Sequence, residues 1–308
     1  QAPTFSRLSC LARVHARFVT MAAWSVLVFG DSWAQYMCPT WPQVLGQRLH
    51  AQVFQFAQAG SMCADLAAQA QRLASNPQVP RGPGGLLRPE TLVVVHTCGN
   101  DFIMKIAQVF MGGGNVANCE FLQPNPGARE VNILRQFLDT MHNLGARHFL
   151  VSSVPIFHHM PVFNMAWPII GGIVNSGGLE SVGISPGDPP ELAIEVQGAA
   201  LHERWCEMIG EFSRAHPEDK CLFFDEVSAL HKLRITMGEA NFDRQMWDFS
   251  MFHPSPFGHT QIASEAHRCV AEGIPELVAL APFQEPSAPV AATPAAATPA
   301  AATPAAAT

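Results

Sequence analysis

The chain has 308 residues, 48% hydrophobic and 14% charged, a balance that sustains a large core in one large domain or two small ones. A formal charge of −7, with no run of Lys or Arg, argues against nucleic acid as the main partner. No uninterrupted apolar window is long enough for a membrane span, and none is expected.

Residues 1–20 stand apart, with Ser6, Arg7, Ser9, Arg13 and Arg17 and no acid. That composition fits an organelle transit segment, or sequence upstream of a start at Met21. Either way it is placed outside the domain, which is expected over 21–284. Val26-Leu27-Val28-Phe29 then reads as a strand buried on both faces, broken by Gly30-Asp31 and followed at once by Ser32. A helix is predicted from Trp41 to Leu49, with Trp41, Val44, Leu45 and Leu49 on one stripe and Pro42 in its first turn. Val53 to Ala57 is the second expected strand, broken by Gly60-Ser61. A helix follows over Asp65 to Ala74, then a Pro/Gly-rich loop from Pro77 to Pro89.

Leu92-Val93-Val94-Val95-His96 has no polar face and reads as the central strand, ending in Cys98-Gly99-Asn100-Asp101. Val131, Leu134, Phe137, Leu138 and Met141 recur with helical period, with Gly145 as the stop. His148 to Val151 is the fourth strand. Residues 155–190 read as an irregular cover over the site or a surface excursion. Glu191 to Ala215 is predicted helical, Cys221 to Asp225 a last strand, and Phe257 to Glu272 a closing helix. The tail, 285–308, repeats Ala-Ala-Ala-Thr-Pro, and Pro at every fifth position forbids a stable helix, so disorder is expected there. Alternating strands and helices predict an α/β fold: a flavodoxin-like, doubly wound parallel sheet of about five strands in three α/β/α layers. The eight cysteines show no zinc-like spacing; reduced thiols and an intracellular setting are favoured, with disulfides and organelle targeting or secretion left open.

The carboxyl ends of parallel strands share one edge, where open α/β sheets place their ligands. Ser32, Gly60 and Asn100 each follow a strand, and His253 precedes the closing helix in Asp248-Phe249-Ser250-Met251-Phe252-His253-Pro254. A hydroxyl, a base to take its proton, a glycine N–H and a side-chain amide donor are the parts of an acyl-transfer site. These stretches resemble the blocks of the SGNH (GDSL-type) hydrolases: Phe29-Gly30-Asp31-Ser32; Ala59-Gly60-Ser61, with Gln55 upstream where Asn is common; Gly99-Asn100-Asp101; and His253-Pro254-Ser255 with Gly258-His259 after it. The resemblance covers about residues 24–275. It implies that Ser32 is the nucleophile and His253 the base. It also implies that the Ser32 N–H, the Gly60 N–H and the Asn100 side chain form the oxyanion hole. No metal and no organic cofactor is implied.

One position departs from the pattern. The family's Asp stands three residues before the His, where this chain has Ser250. Asp248 is the nearest carboxylate and the candidate third catalytic member; a Ser–His dyad oriented by a backbone carbonyl, or Asp248 as a turn cap, are the alternatives. Other groups have plainer expectations. His96 is a core histidine, Asp31 and Asp101 hold their turns, and His259 and His267 lie on the surface of the closing helix. His158-His159 are adjacent and point apart, so they make no metal pair, and Gly112-Gly113-Gly114 is no phosphate loop. Phe157, Met160, Phe163, Met165 and Trp167 either receive an apolar substrate group or pack their segment onto the core. The expected partner is a small-molecule ester, lipid or short-chain. Carbohydrate O-acetyl esters, acyl transfer to another alcohol, and a catalytically dead binding module are the other readings.

Overall fold

A computed structural model describes residues 24–111, 119–156, 158–177 and 179–279. The expected leader, the Gly112-Gly113-Gly114 stretch and the Ala/Thr/Pro tail lie outside the described residues. Five strands form one sheet: β1 (Ser25–Gly30), β2 (Gln52–Gln55), β3 (Thr91–His96), β4 (His148–Ser152) and β5 (Lys220–Phe224). All pairings are parallel, in the order β2-β1-β3-β4-β5, so the chain winds outward in both directions from β1 and β3. Every residue of β1 and β3 is buried, which is why these strands read as unbroken apolar runs.

Helices cover both faces. On one, α1 (Trp41–Arg48) packs against α9 (Pro256–Gly273), and Trp41 meets His96 and Phe224 from the sheet. On the other, α2 (Leu66–Ser75), α4 (Ala128–Asn143) and α6 (Pro190–Ala215) lie side by side, with Phe137 against Phe29 and Phe212 against Phe149. Helix α3 (Gly99–Met111) leaves the end of β3. The expected α/β fold, a doubly wound parallel sheet of five strands, is therefore observed.

Three details differ from expectation. The region 155–190 is not wholly irregular: Pro161–Asn175 forms α5, packed on α6, with Pro161 in its first turn and Pro168 inside it. Pro168 and Gly171-Gly172 look like breakers, but packing of an apolar helix outweighs them. Between β5 and the closing helix lie α7 (Glu226–Met237) and α8 (Glu239–Met246), and α10 (Pro275–Val278) follows the closing helix at the chain's described end. His259 and His267 are buried rather than on the surface. They share the inward stripe of α9 with Ile262, Ala263, Ala266 and Val270, and His259 Nδ1 accepts the Trp41 N–H at 3.2 Å. Burial drives the His259 imidazole down to about 3, so it stays neutral and able to accept.

Candidate active site

The first turn is built by close approach. At Gly30 (φ +125°) an added Cβ would fall 1.6 Å from the His96 carbonyl oxygen, so only glycine lets β1 leave the sheet here. The Asp31 N–H donates to that same oxygen at 3.1 Å. Asp31 Oδ1 accepts the Trp33 N–H at 3.1 Å, which fixes the turn presenting Ser32. Beneath it sits a buried charge cluster: His96 Nδ1 is 3.1 Å from Asp31 Oδ1, and His96 Nε2 is 3.0 Å from Glu226 Oε2. Burial alone would push the His96 imidazole down, but the carboxylates of Glu226 and Asp31 on either side hold it up at about 10. Trp33 stacks flat on this imidazolium, with ring centroids 5.4 Å apart. His96 is thus a core histidine, as expected, and it is also the floor under the Ser32 turn.

The other end of the chain reaches Ser32 through the segment that precedes α9. Trp247 bridges Pro254, the Asp248 N–H donates to the His253 carbonyl at 2.9 Å, and the Ser255 N–H donates to the Met246 carbonyl at 2.7 Å. Met251 takes a left-handed conformation (φ +60°), unusual for a side chain of its size, to close the turn. These constraints set His253 Nε2 2.8 Å from Ser32 Oγ, with His253 9% and Ser32 5% exposed.

On the far side of the ring, Ser250 occupies the position of the family's Asp. His253 Nδ1 is 3.0 Å from Ser250 Oγ, and the Ser250 hydroxyl donates in turn to Asp248 Oδ1. The bond directions follow from chemistry. A carboxylate only accepts, so Ser250 points its proton at Asp248 and its oxygen accepts the proton on His253 Nδ1. That leaves Nε2 unprotonated and facing the Ser32 hydroxyl. Asp248 therefore reaches the imidazole at one remove. Direct contact, the arrangement expected of a third member, is replaced by a serine-bridged one. Burial lowers the His253 pKa from its usual value, and the charges of Asp248 and Asp31 partly oppose that.

Tyr36, which the sequence reading passed over, completes the surround. Its ring stacks on His253 with centroids 4.1 Å apart and planes 17° off parallel. Burial, then the charge and hydrogen bonding of Asp248, push its phenol above its ordinary value, so it remains neutral. The available signal was its position: the one tyrosine of the chain, four residues after Ser32.

The remaining two blocks adjoin. The Asn100 amide nitrogen donates to the Ser61 carbonyl at 2.9 Å, engaging one of its two protons and tying it to the Gly60 loop. Asp101 Oδ2 accepts the Cys63 N–H at 2.8 Å, a second stitch between the same loops. An added Cβ at Gly99 would lie 3.5 Å from Asp31 Oδ2, which places the Asn100 turn against the Ser32 turn. Gly60 sits at φ +81° with open space around it, so its backbone conformation rather than crowding requires glycine. Among the described residues the Ser32 and Gly60 N–H groups meet no hydrogen-bond acceptor. Cys63 and Cys98 are fully buried beside Asp101, and desolvation raises both thiols, which keeps them protonated packing groups.

The other singled-out residues divide. Met160 and Phe163 are buried in the core, with Trp167 stacked on Phe163 at 5.4 Å, while Phe157 and the Met165 side chain lie outside the described residues. The His158 and His159 rings do not diverge as adjacent residues on a regular element would: their centroids are 3.8 Å apart, because they lie in a turn. The seven described cysteines form no disulfide with one another, and no described helix is long and apolar enough to cross a membrane.

The fold is thus a doubly wound α/β protein, and at the carboxyl edge of its sheet a serine hydroxyl is hydrogen-bonded to an imidazole, the pairing that acyl transfer to a serine requires. The family model for GDSL-like lipases and acylhydrolases matches residues 26–266, and the chain belongs to that family. It is similar to a protein of Slackia heliotrinireducens described as an SGNH hydrolase, at 15% identity over 80% of this chain and 99% of that one, with a TM-score of 0.42. It is also similar to the lipase Lip_vut3 from a goat rumen metagenome, at 11% identity over 80% and 97%, with a TM-score of 0.48. No curated protein matches it.

Proposed function

We propose that this hydrolase cleaves carboxylic esters through an acyl-enzyme on Ser32. The observation that supports it most is the 2.8 Å contact between Ser32 Oγ and an imidazole nitrogen whose partner nitrogen is bonded towards a carboxylate. Ser32 Oγ attacks the ester carbonyl as its proton passes to His253 Nε2. The imidazolium is stabilised through Ser250 by Asp248, and its proton then goes to the departing alkoxide. The tetrahedral oxyanion accepts hydrogen bonds from the Ser32 and Gly60 N–H groups and the second amide proton of Asn100; each such donor is worth roughly 10²–10³ in rate. Water, deprotonated by His253, attacks the acyl-enzyme and restores Ser32. An acceptor alcohol in place of water would give acyl transfer by the same steps.

Exposed apolar side chains flank the reacting groups. Met37 follows Tyr36, and Phe249 and Met251 lie in the His253 turn; they are 75%, 82% and 39% exposed. Large apolar groups left in water on the two segments that meet at Ser32–His253 suit an apolar acyl or alcohol moiety. They serve that role better than Met160 and Phe163, whose side chains are consumed by the core. The test is turnover of p-nitrophenyl esters of increasing acyl length by the full chain and by Ser32→Ala. The proposal expects hydrolysis that disappears in Ser32→Ala, with KM falling as the acyl chain lengthens. Hydrolysis retained in Ser32→Ala would overturn it.

A further inference from the structure

At the opposite edge of the sheet, the end of α4 and the α6–β5 connection bring together His142, His216 and Glu218. One donor atom from each lies within 4.8 Å of the others, and His142 Nε2 is 3.9 Å from Glu218 Oε1. A tetrahedral zinc ion bound at about 2.0–2.1 Å holds its donors roughly 3.4 Å apart, so the set needs to draw in by only a fraction of an ångström at this pair. The two rings lie against one another, with centroids 3.9 Å apart and planes 34° off parallel, so sharing a tetrahedral ion requires them to part to about 5 Å.

What distinguishes the cluster from a chance surface grouping is the layer behind it. His142 Nδ1 is 2.7 Å from Asp219 Oδ2, and the Asp219 carboxylate is completely buried. With its Nδ1 proton donated to that carboxylate, His142 keeps the Nε2 lone pair for a ligand, the arrangement by which ligating histidines are oriented, although Arg147 Nη1 also lies 3.3 Å from Nδ1. His216 also has a carboxylate beside it, Asp139 Oδ1 at 3.2 Å from Nε2. Among the described residues the other Asp219 oxygen is buried without a hydrogen bond, and the Arg147 guanidinium lies 3.6 Å from it. Arg135 pairs with Asp139, and Arg147 also donates to the His142 and Ala146 carbonyls. Three carboxylates thus face two guanidiniums, and the balance remains favourable to a cation. Glu218 is half exposed, and the two imidazoles are partly exposed, so an ion has a way in.

We propose that His142, His216 and Glu218 bind a divalent cation of the zinc class, with Asp219 as the buried residue that orients His142. Two imidazoles and a carboxylate are a donor set suited to such ions, and solvent completes the coordination. The ion would clasp α4 to the connection that leads into β5, across 77 residues of sequence between His142 and Asp219, and would stabilise the fold without entering the chemistry at Ser32.

The test is equilibrium dialysis of the chelator-treated full chain against Zn²⁺, with thermal melts at saturating and zero metal. The expected result is one equivalent bound in the micromolar range or below, and a melting temperature raised by the metal. Glu218→Gln, an exposed change that leaves the fold intact, is expected to weaken binding by at least about tenfold and remove the thermal shift. His142→Ala does the same, and Asp219→Asn costs about 10–100-fold as an orienting residue should. Saturation only at millimolar Zn²⁺ would mean an adventitious ion only. Equal affinity in the wild type and Glu218→Gln would place the ion elsewhere. Either result overturns the proposal.

Discussion

Replacing Ser250 by Ala isolates the bridge between His253 and Asp248. The substitution deletes one oxygen from a partly exposed turn, so it opens no core cavity. It removes the acceptor 3.0 Å from His253 Nδ1, which bears positive charge once the ring has taken the Ser32 proton. A hydrogen bond to a charged group contributes about 1.5–3 kcal/mol. This one forms to the charged ring only as reaction proceeds, so the loss should fall on kcat, by about 10- to 150-fold, with KM little changed. Asp248→Asn keeps an acceptor oxygen for the Ser250 hydroxyl and should cost less. If the two residues act as one chain, the double variant loses no more than Ser250→Ala alone. Ser250 Oγ also accepts the Phe252 and His253 N–H groups at 3.3 and 3.1 Å, so thermal melts are needed alongside the kinetics. Ser250→Asp supplies an acceptor in the same place and should recover most of the turnover. Steady-state kinetics with a p-nitrophenyl ester decides it. An unchanged kcat in Ser250→Ala, or strictly additive losses in the double variant, would refute the bridged arrangement.

Three further outcomes follow from the same geometry. Activity needs neutral His253, whose pKa burial holds below 6.5, so the acidic limb of kcat/KM should lie below that of an ordinary imidazole. Asp248 raises that pKa, so Asp248→Asn should move the limb further down in a pH profile. His96→Gln removes the cation between Asp31 and Glu226 and should destabilise the fold by about 3–5 kcal/mol in urea titrations. Because the folded His96 pKa is raised from 6.5 to about 10, its stabilisation is fully present below the former and lost as pH rises through the latter. The wild type should therefore lose stability over that window, and His96→Gln should not show the same slope. Phe249→Ser should raise KM several-fold for long-chain esters and leave the shortest ester nearly unaffected, since only a long chain reaches a ring that is now in water.

The sheet was legible because β1 and β3 are buried on both faces and so appear as unbroken apolar runs ending in glycine-containing turns. α5 was not, because an apolar helix with Pro168 and paired glycines shows neither a polar face nor an uninterrupted run. α7 and α8 were missed for a different reason: their buried positions, Ala229, Leu230 and Leu233 in one and Phe242 and Met246 in the other, are too few to stand out among charged neighbours. The inward histidines of α9 were readable in principle, since His259 falls on the stripe of Ile262, Ala263 and Ala266. Ser32, Gly60, Asn100 and His253 could be picked out because each follows or precedes a structural break on one edge of the sheet. The Ser250 bridge could not, because it depends on a turn closed by Met251 at positive φ, a conformation that nothing in the residue itself announces. Tyr36 belongs with it: stacking on His253 is a long-range contact across more than two hundred residues.

Ester cleavage by this chain requires Ser32 to be an activated nucleophile, and a fluorophosphonate probe reports that property independently of the natural ester. Incubation of the full chain with the probe, proteolysis and mass spectrometry should find a single phosphonyl adduct, on the peptide containing Ser32. Labelling should cease in Ser32→Ala and slow markedly in His253→Ala. An unlabelled wild-type protein, or an adduct on any other serine, would contradict the account.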